Sequence, residues 1–202
     1  LKIKERLEQD FKIKVYVIIK DLAYESAAEE IYEEIDTKGL IVDKLINNAG
    51  FGSFGAFIDI EASRDLSMID VNVRALTNLT KLFLPDMVKR KHGYILNVAS
   101  TAAFMPGPYM AVYYASKAYV LSLSEALASE LKGSGVSVSV LCPGPTKTDF
   151  QSKANMKKSD FVKFSVMDAT TVALLGYRGM LKGKRIIIPG AINKLMLSAM
   201  RL

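Results

Sequence analysis

Short apolar, β-branched runs alternate with helix-periodic segments along this whole chain, and that alternation limits the folds open to it. Val15 to Ile19, Leu45-Ile46, Tyr94 to Val98, Val136 to Leu141 and Arg185 to Ile188 read as strands. Between and around them, Lys2 to Asp10, Ser26 to Thr37, Ser63 to Lys91, Met110 to Leu131, Asp168 to Leu181 and Ala191 to Leu202 read as helices. Gly39 stops the second of these, and Pro85 is expected to bend or break the third. Short strands without polar alternation belong to parallel sheets covered on both faces by helices. The expectation is one α/β domain over residues 1–202, a doubly wound parallel sheet. Ligands of such sheets sit beyond the carboxyl ends of the strands. The polar and Gly/Pro-rich loops fall there, at Asp21, Asn47 to Gly50, Ser100 and Pro143 to Thr148.

Composition narrows the function. Of 202 residues, 50% are hydrophobic and 24% charged, a globular balance. No apolar run approaches the roughly 18 residues of a membrane span. A single cysteine, Cys142, and a single histidine, His92, argue against a disulfide framework and against a zinc enzyme, so no metal is expected. Residues 1–50 hold eight basic against eleven acidic side chains, and residues 151–202 hold ten against two. The basic C-terminal quarter reads as a solvated lysine-rich surface rather than a nucleic-acid site. Leu1 to Lys14 is charged and periodic, unlike a secretory signal, so a cytoplasmic protein is expected.

The chemistry concentrates in one constellation. Tyr113 and Lys117 stand four apart on a predicted helix and share a face. A fixed ammonium stabilises a phenolate, so the Tyr113 pKa is expected to fall toward working pH and make the phenol a general acid or base. Alone, this spacing is commonplace in helices. Here Ser100 ends the preceding strand 13 residues earlier, and Asn72 lies 28 residues before that on the long helix. Asn47-Asn48-Ala49-Gly50 follows one strand, and Pro143-Gly144, with Thr146 and Thr148 beyond, follows another.

Together these residues make the chain resemble the classical short-chain dehydrogenase/reductase family. The stretch from Gly183-Lys184-Arg185 to Ile188-Pro189-Gly190, then Asn193 and Arg201, looks like a bacterial branch of general oxidoreductases. The resemblance implies a Rossmann-like fold and hydride transfer between a nicotinamide cofactor and a small carbonyl or alcohol. It implies the catalytic set Asn72, Ser100, Tyr113 and Lys117. Tyr113 would move the proton, Lys117 lower its pKa and hold the ribose, Ser100 bind the substrate oxygen, and Asn72 anchor a water leading to Lys117. Tyr114 competes with Tyr113 for the role but is one residue off the family interval. Asp21 near the adenine, Asn48, Ala49 and Gly50 along the adenosine ribose and phosphates, and Pro143, Gly144, Thr146 and Thr148 beside the nicotinamide, with Tyr113 and Lys117, would contact the cofactor, NADP(H) in preference to NAD(H). Phe104, Tyr109, Met110 and Phe150 are candidates to line the substrate pocket, and Met156 to Lys158 to sit in a substrate lid. The long helices Ser63–Lys91 and Met110–Leu131 would form the face of a homodimer or homotetramer.

The family's glycine-rich turn, Thr-Gly-x-x-x-Gly-x-Gly, is not in this sequence. The expectation is a chain that begins inside the helix after the second strand, with about 40 residues missing by the size of a βαβ unit. A slot would then open between the Val15–Ile19 and Leu45–Ile46 strands. The alternative to an enzyme is a truncated or catalytically inactive domain that binds a partner.

Overall fold

The computed structural model describes residues 2–148, 150, 154 and 166–200. The expected lid at Met156 to Lys158, and Arg201, lie outside these residues. In chain order the elements are α1 (Lys2–Phe11), α2 (Ala27–Thr37), β1 (Lys44–Asn47), α3 (Ala62–Ile69), a π-helical turn (Asp70–Ala75) and α4 (Leu76–Arg90). Then follow β2 (Gly93–Val98), a 3₁₀ turn (Thr101–Phe104), α5 (Ala111–Glu130), β3 (Val136–Leu141), β4 (Thr146–Lys147), β5 (Met167–Asp168), α6 (Ala169–Leu181), β6 (Ile186–Ile187) and α7 (Ala191–Met200).

The main sheet runs β1-β2-β3-β6, and every pair is parallel. Side chains alternate across it, so each strand feeds two cores. On one face Ile95, Val136 and Val138 pack against Phe83 and Met87 of α4, while Val140 meets Leu76, Val120 and Leu121. On the other, Leu96 and Leu141 pack against Val172 and Met180 of α6. This is the expected α/β fold with helices on both faces. Gly135 makes the tight entry to β3: its φ is +83°, and a Cβ there would stand 2.1 Å from the Lys91 carbonyl oxygen.

Three expectations need correction. Val15 to Ile19 is not a strand. It runs as irregular chain, with Val17 and Ile19 exposed, and among the described residues β1 pairs only with β2. A β-branched run without a ladder leaves its amide groups to water or to side chains, as where the Val15 N–H donates to Glu8 Oε1 at 2.9 Å. The long helix is not interrupted at Pro85, which lies inside a continuous α4. Its irregularity is the π-helical turn at Asp70–Ala75, an insertion that recurs at functional sites. The last strand is Ile186–Ile187 rather than Arg185 to Ile188. The β4–β5 pair, just beyond the Pro143-Gly144 turn, was not anticipated.

A polar thread crosses the α4/α5 side of the core. The Asn47 amide donates to Thr80 Oγ1 at 3.1 Å and to Asn97 Oδ1 at 2.9 Å, and the Asn97 amide donates to Ser124 Oγ at 2.9 Å. All four residues are buried. They tie β1, β2, α4 and α5 together. Removing one member strands the others without water, so Asn97→Ala is expected to destabilise the fold by about 2–4 kcal/mol. Urea unfolding at constant slope measures this, against a loss below about 1 kcal/mol for an exposed control such as Ser122→Ala.

Candidate active site

Three strand ends and two helical segments meet above the sheet. β1 delivers Asn48 to Gly50, β2 delivers Ser100, and β3 delivers Pro143 and Gly144. α5 carries Tyr113 and Lys117, and the π-helical turn carries Asn72. The π turn matters because it sets Asn72 facing the β1 loop. The Asn72 amide is almost fully buried. It accepts from the Phe51 N–H at 3.1 Å and donates to the Phe51 carbonyl at 3.0 Å and to Ser116 Oγ at 3.0 Å. One side chain thereby locks the β1 loop to α5.

Lys117 is buried, and its Nζ donates to the Val98 carbonyl at 2.9 Å, which ties α5 to the end of β2. Loss of water drives its pKa down from the ordinary lysine value to about 8. Tyr113 is buried beside it, with Lys117 Nζ 5.9 Å from its ring centroid. Here the expected lowering of the phenol pKa is reversed. Burial raises it, and a hydrogen bond with Ser100 opposes that only in part. At 5.9 Å from the ring, the ammonium does not compensate for the lost hydration. Ser100 Oγ also accepts from the Ala102 N–H at 3.1 Å and lies 3.5 Å from the Pro143 carbonyl. The four expected catalytic residues therefore stand in one site.

The expected cofactor contacts line the same side. Asn48, Ala49 and Gly50 are exposed. Gly50 is required: a Cβ there would come within 2.9 Å of Asn72 Oδ1 and 3.2 Å of Lys117 Nζ. Such an open loop, with backbone able to approach a ligand beside a lysine ammonium, fits a ribose and its phosphates. Thr146 Oγ1 donates to the Gly144 carbonyl at 2.9 Å, and Thr148 Oγ1 accepts from the Phe150 N–H at 3.2 Å. The exposed Asp21 lies in a turn where its Oδ1 accepts from the Ala23 N–H at 3.0 Å.

The pocket candidates divide. Met110 packs with Tyr113, and the Phe150 ring centroid is 5.3 Å from that of Tyr113. Tyr109 is exposed, at φ +64°, and pairs with Phe54 at 6.0 Å. Phe104, half-buried, packs against the cluster that contains Ala99, Val120 and Cys142. Tyr114 lies over Gly107, where a Cβ would meet its ring at 2.3 Å, while Ser100 acts on the Tyr113 phenol. Sequence reasoning missed Ser116, Phe51 and Gly52. The adjacency of Ser116 to Lys117 was the available signal. Asn193 was read only as a branch marker, yet it is buried against Gly144, where a Cβ would stand 2.6 Å from its amide nitrogen.

The family described as short chain dehydrogenase matches residues 1–159. The chain is 39% identical over 132 residues to the oxidoreductase UcpA of Salmonella typhimurium, covering 64% of this chain and 49% of that protein. It is 33% identical over 149 residues to the human very-long-chain 3-oxoacyl-CoA reductase, covering 69% of this chain and 48% of that protein. The chain thus spans about half the length of these curated relatives. A short-chain dehydrogenase from Sphingobium yanoikuyae in complex with NADPH superposes with a TM-score of 0.86 at 28% identity, over 99% of this chain and 78% of that one. A bulky-bulky ketone specific alcohol dehydrogenase from Comamonas testosteroni gives 0.80 at 27% identity, over 99% and 76%.

Burial of Lys117 has a consequence for stability. With its folded pKa below the unfolded value, the folded state holds fewer protons between pH 8 and about 10.5, so this group's penalty is full below pH 8 and fades as pH rises. Lys117→Met is expected to raise the melting temperature at pH 7 by about 2–6 °C and to give no gain near pH 10.5. Calorimetry across that range checks both the sign and the window.

Proposed function

We propose, since this chain belongs to the short-chain dehydrogenase/reductase family, that it serves a nicotinamide-dependent oxidoreductase that interconverts a carbonyl and an alcohol, with Tyr113 as the proton donor. The observation that carries this is the convergence of buried Tyr113, Lys117 and Asn72 and half-buried Ser100 beside an open, glycine-containing loop. It favours an enzyme over a domain that merely binds a partner.

Each residue suits its role. Burial holds the Tyr113 phenol protonated at neutral pH, the form that gives a proton to a carbonyl oxygen. Ser100 supports the same oxygen as negative charge develops. Lys117, anchored on Val98, places an ammonium beside the phenol and the Gly50 loop. Asn72 fixes that loop to α5 and so keeps Lys117 and Gly50 in register. The bound nicotinamide supplies or accepts the hydride, which is its own chemistry.

Reduction is the favoured direction, because the resting phenol is an acid. The wall against Tyr113 is Phe51, Met110, Tyr114 and Phe150, which supports an apolar ketone or aldehyde. The bulky-ketone enzyme of Comamonas testosteroni agrees with that substrate class. The NADPH held by the Sphingobium yanoikuyae dehydrogenase supports NADP(H) over NAD(H). No helix among the described residues is long and apolar enough to cross a membrane. A cytoplasmic homodimer or homotetramer joined through α4 and α5 completes the reading.

Nicotinamide fluorescence with NADPH and NADH, followed by a screen of aryl and alkyl ketones, tests the proposal. Tyr113→Phe is expected to lower kcat by about 10²–10⁴-fold while leaving the cofactor Kd unchanged. Unaltered turnover would remove Tyr113 from the chemistry.

A further inference from the structure

Two residues beyond Asn72, the same π-helical turn carries a half-buried arginine that the catalytic set does not use. Arg74 Nε donates to Asp70 Oδ1 at 3.0 Å, and this pair orients the guanidinium. Arg74 Nη2 then donates to the carbonyl of Ala23 at 2.8 Å, across 51 residues of sequence. Ala23 belongs to the turn that displays Asp21. That turn closes on itself only locally: Asp21 Oδ1 accepts from the Ala23 N–H at 3.0 Å, and the Asp21 carbonyl accepts from the Tyr24 N–H at 3.2 Å. Its outer residues, Asp21, Tyr24 and Glu25, are exposed. A turn bonded mainly to itself needs an anchor elsewhere if its carboxylate is to keep a fixed place relative to the rest of the site. Arg74 supplies one, from the element that also locks Phe51 and Ser116 through Asn72.

We propose that Arg74 is a positioning residue for the adenine end of the cofactor: held by Asp70, it straps the Asp21–Ala23 turn to the π-helical segment that carries Asn72. The inference rests on the reading of the protein as a nicotinamide-dependent enzyme, in which Asp21 faces the adenine. One helical turn then fixes both ends of the binding site, the nicotinamide end through Asn72 and the adenine end through Arg74. A charged donor lost at a half-buried carbonyl releases the turn, while Tyr113, Ser100 and Lys117 keep their own contacts.

The test is Arg74→Met in the full chain, which retains the aliphatic stem and removes the donors. The Kd for NADPH, read by nicotinamide fluorescence, is expected to rise about tenfold. Amide hydrogen exchange over residues 22–25 in the free protein is expected to accelerate, with the melting temperature and the exchange of α5 unchanged. kcat at saturating cofactor is expected to stay within about twofold. The proposal is overturned if Kd stays within twofold of the parent, if exchange at residues 22–25 is unaltered, or if kcat falls together with affinity. A parent protein that binds neither NADPH nor NADH overturns the enzyme reading and this inference with it. A parent that binds, with a variant that binds equally well, overturns this inference alone.

Discussion

The thread of hydrogen bonds through Thr80, Asn47, Asn97 and Ser124 is the joint on which the upper half of the molecule turns. Apolar packing between a helix and a sheet tolerates sliding, because dispersion and burial are non-directional. Directional bonds between buried amides and hydroxyls do not, and each carries the penalty of an unpaired polar group if it slips. The thread enters β1 at its last residue, just before the Asn48–Gly50 loop. It enters β2 three residues before Ser100, and α5 seven residues, two turns, after Lys117. Two of the strand ends and the helix that carry the site are thus registered against one another immediately below the chemistry. The Lys117–Val98 and Asn72–Phe51 contacts above it refine a geometry that the thread already holds.

Much of this was legible in the residues, for particular reasons. β3 was read to the residue because Val136 to Leu141 is bounded by Gly135 and by Pro143, both of which have backbone causes. The resemblance to the family pointed to Asn72, Ser100, Tyr113 and Lys117, and the fold brings these four positions together because strand end, loop and helix follow one another in that order. Val15 to Ile19 misled because composition describes the residue's preference and says nothing of whether a ladder stands beside it. The π-helical turn was unreadable because it adds one residue to a helix without altering its composition, and its cause, the Asn72 amide gripping Phe51, lies in tertiary contact.

The direction of the Tyr113 shift shows how one cause acts on two groups. Withdrawal of water opposes charge whatever its sign, so it raises a phenol and lowers an ammonium. The neutral phenol and the marginal ammonium are therefore two faces of the same burial, and neither needs the other to be explained. A pair in water would sit the opposite way, with the phenol aided by a fully charged neighbour. The buried phenol stays an acid, and in the reaction we propose, it and Ser100 would be the donors to a substrate oxygen. The packing around it bears on the substrate proposed. The side chains packed with Tyr113, among them Met110, Tyr114 and Phe150, are mostly apolar. A carbonyl flanked by apolar substituents forfeits little hydration on entering. In the proposed reaction its one polar atom would meet the hydroxyls of Ser100 and Tyr113, so the packing that keeps the proton on Tyr113 would also bear on which carbonyls approach it.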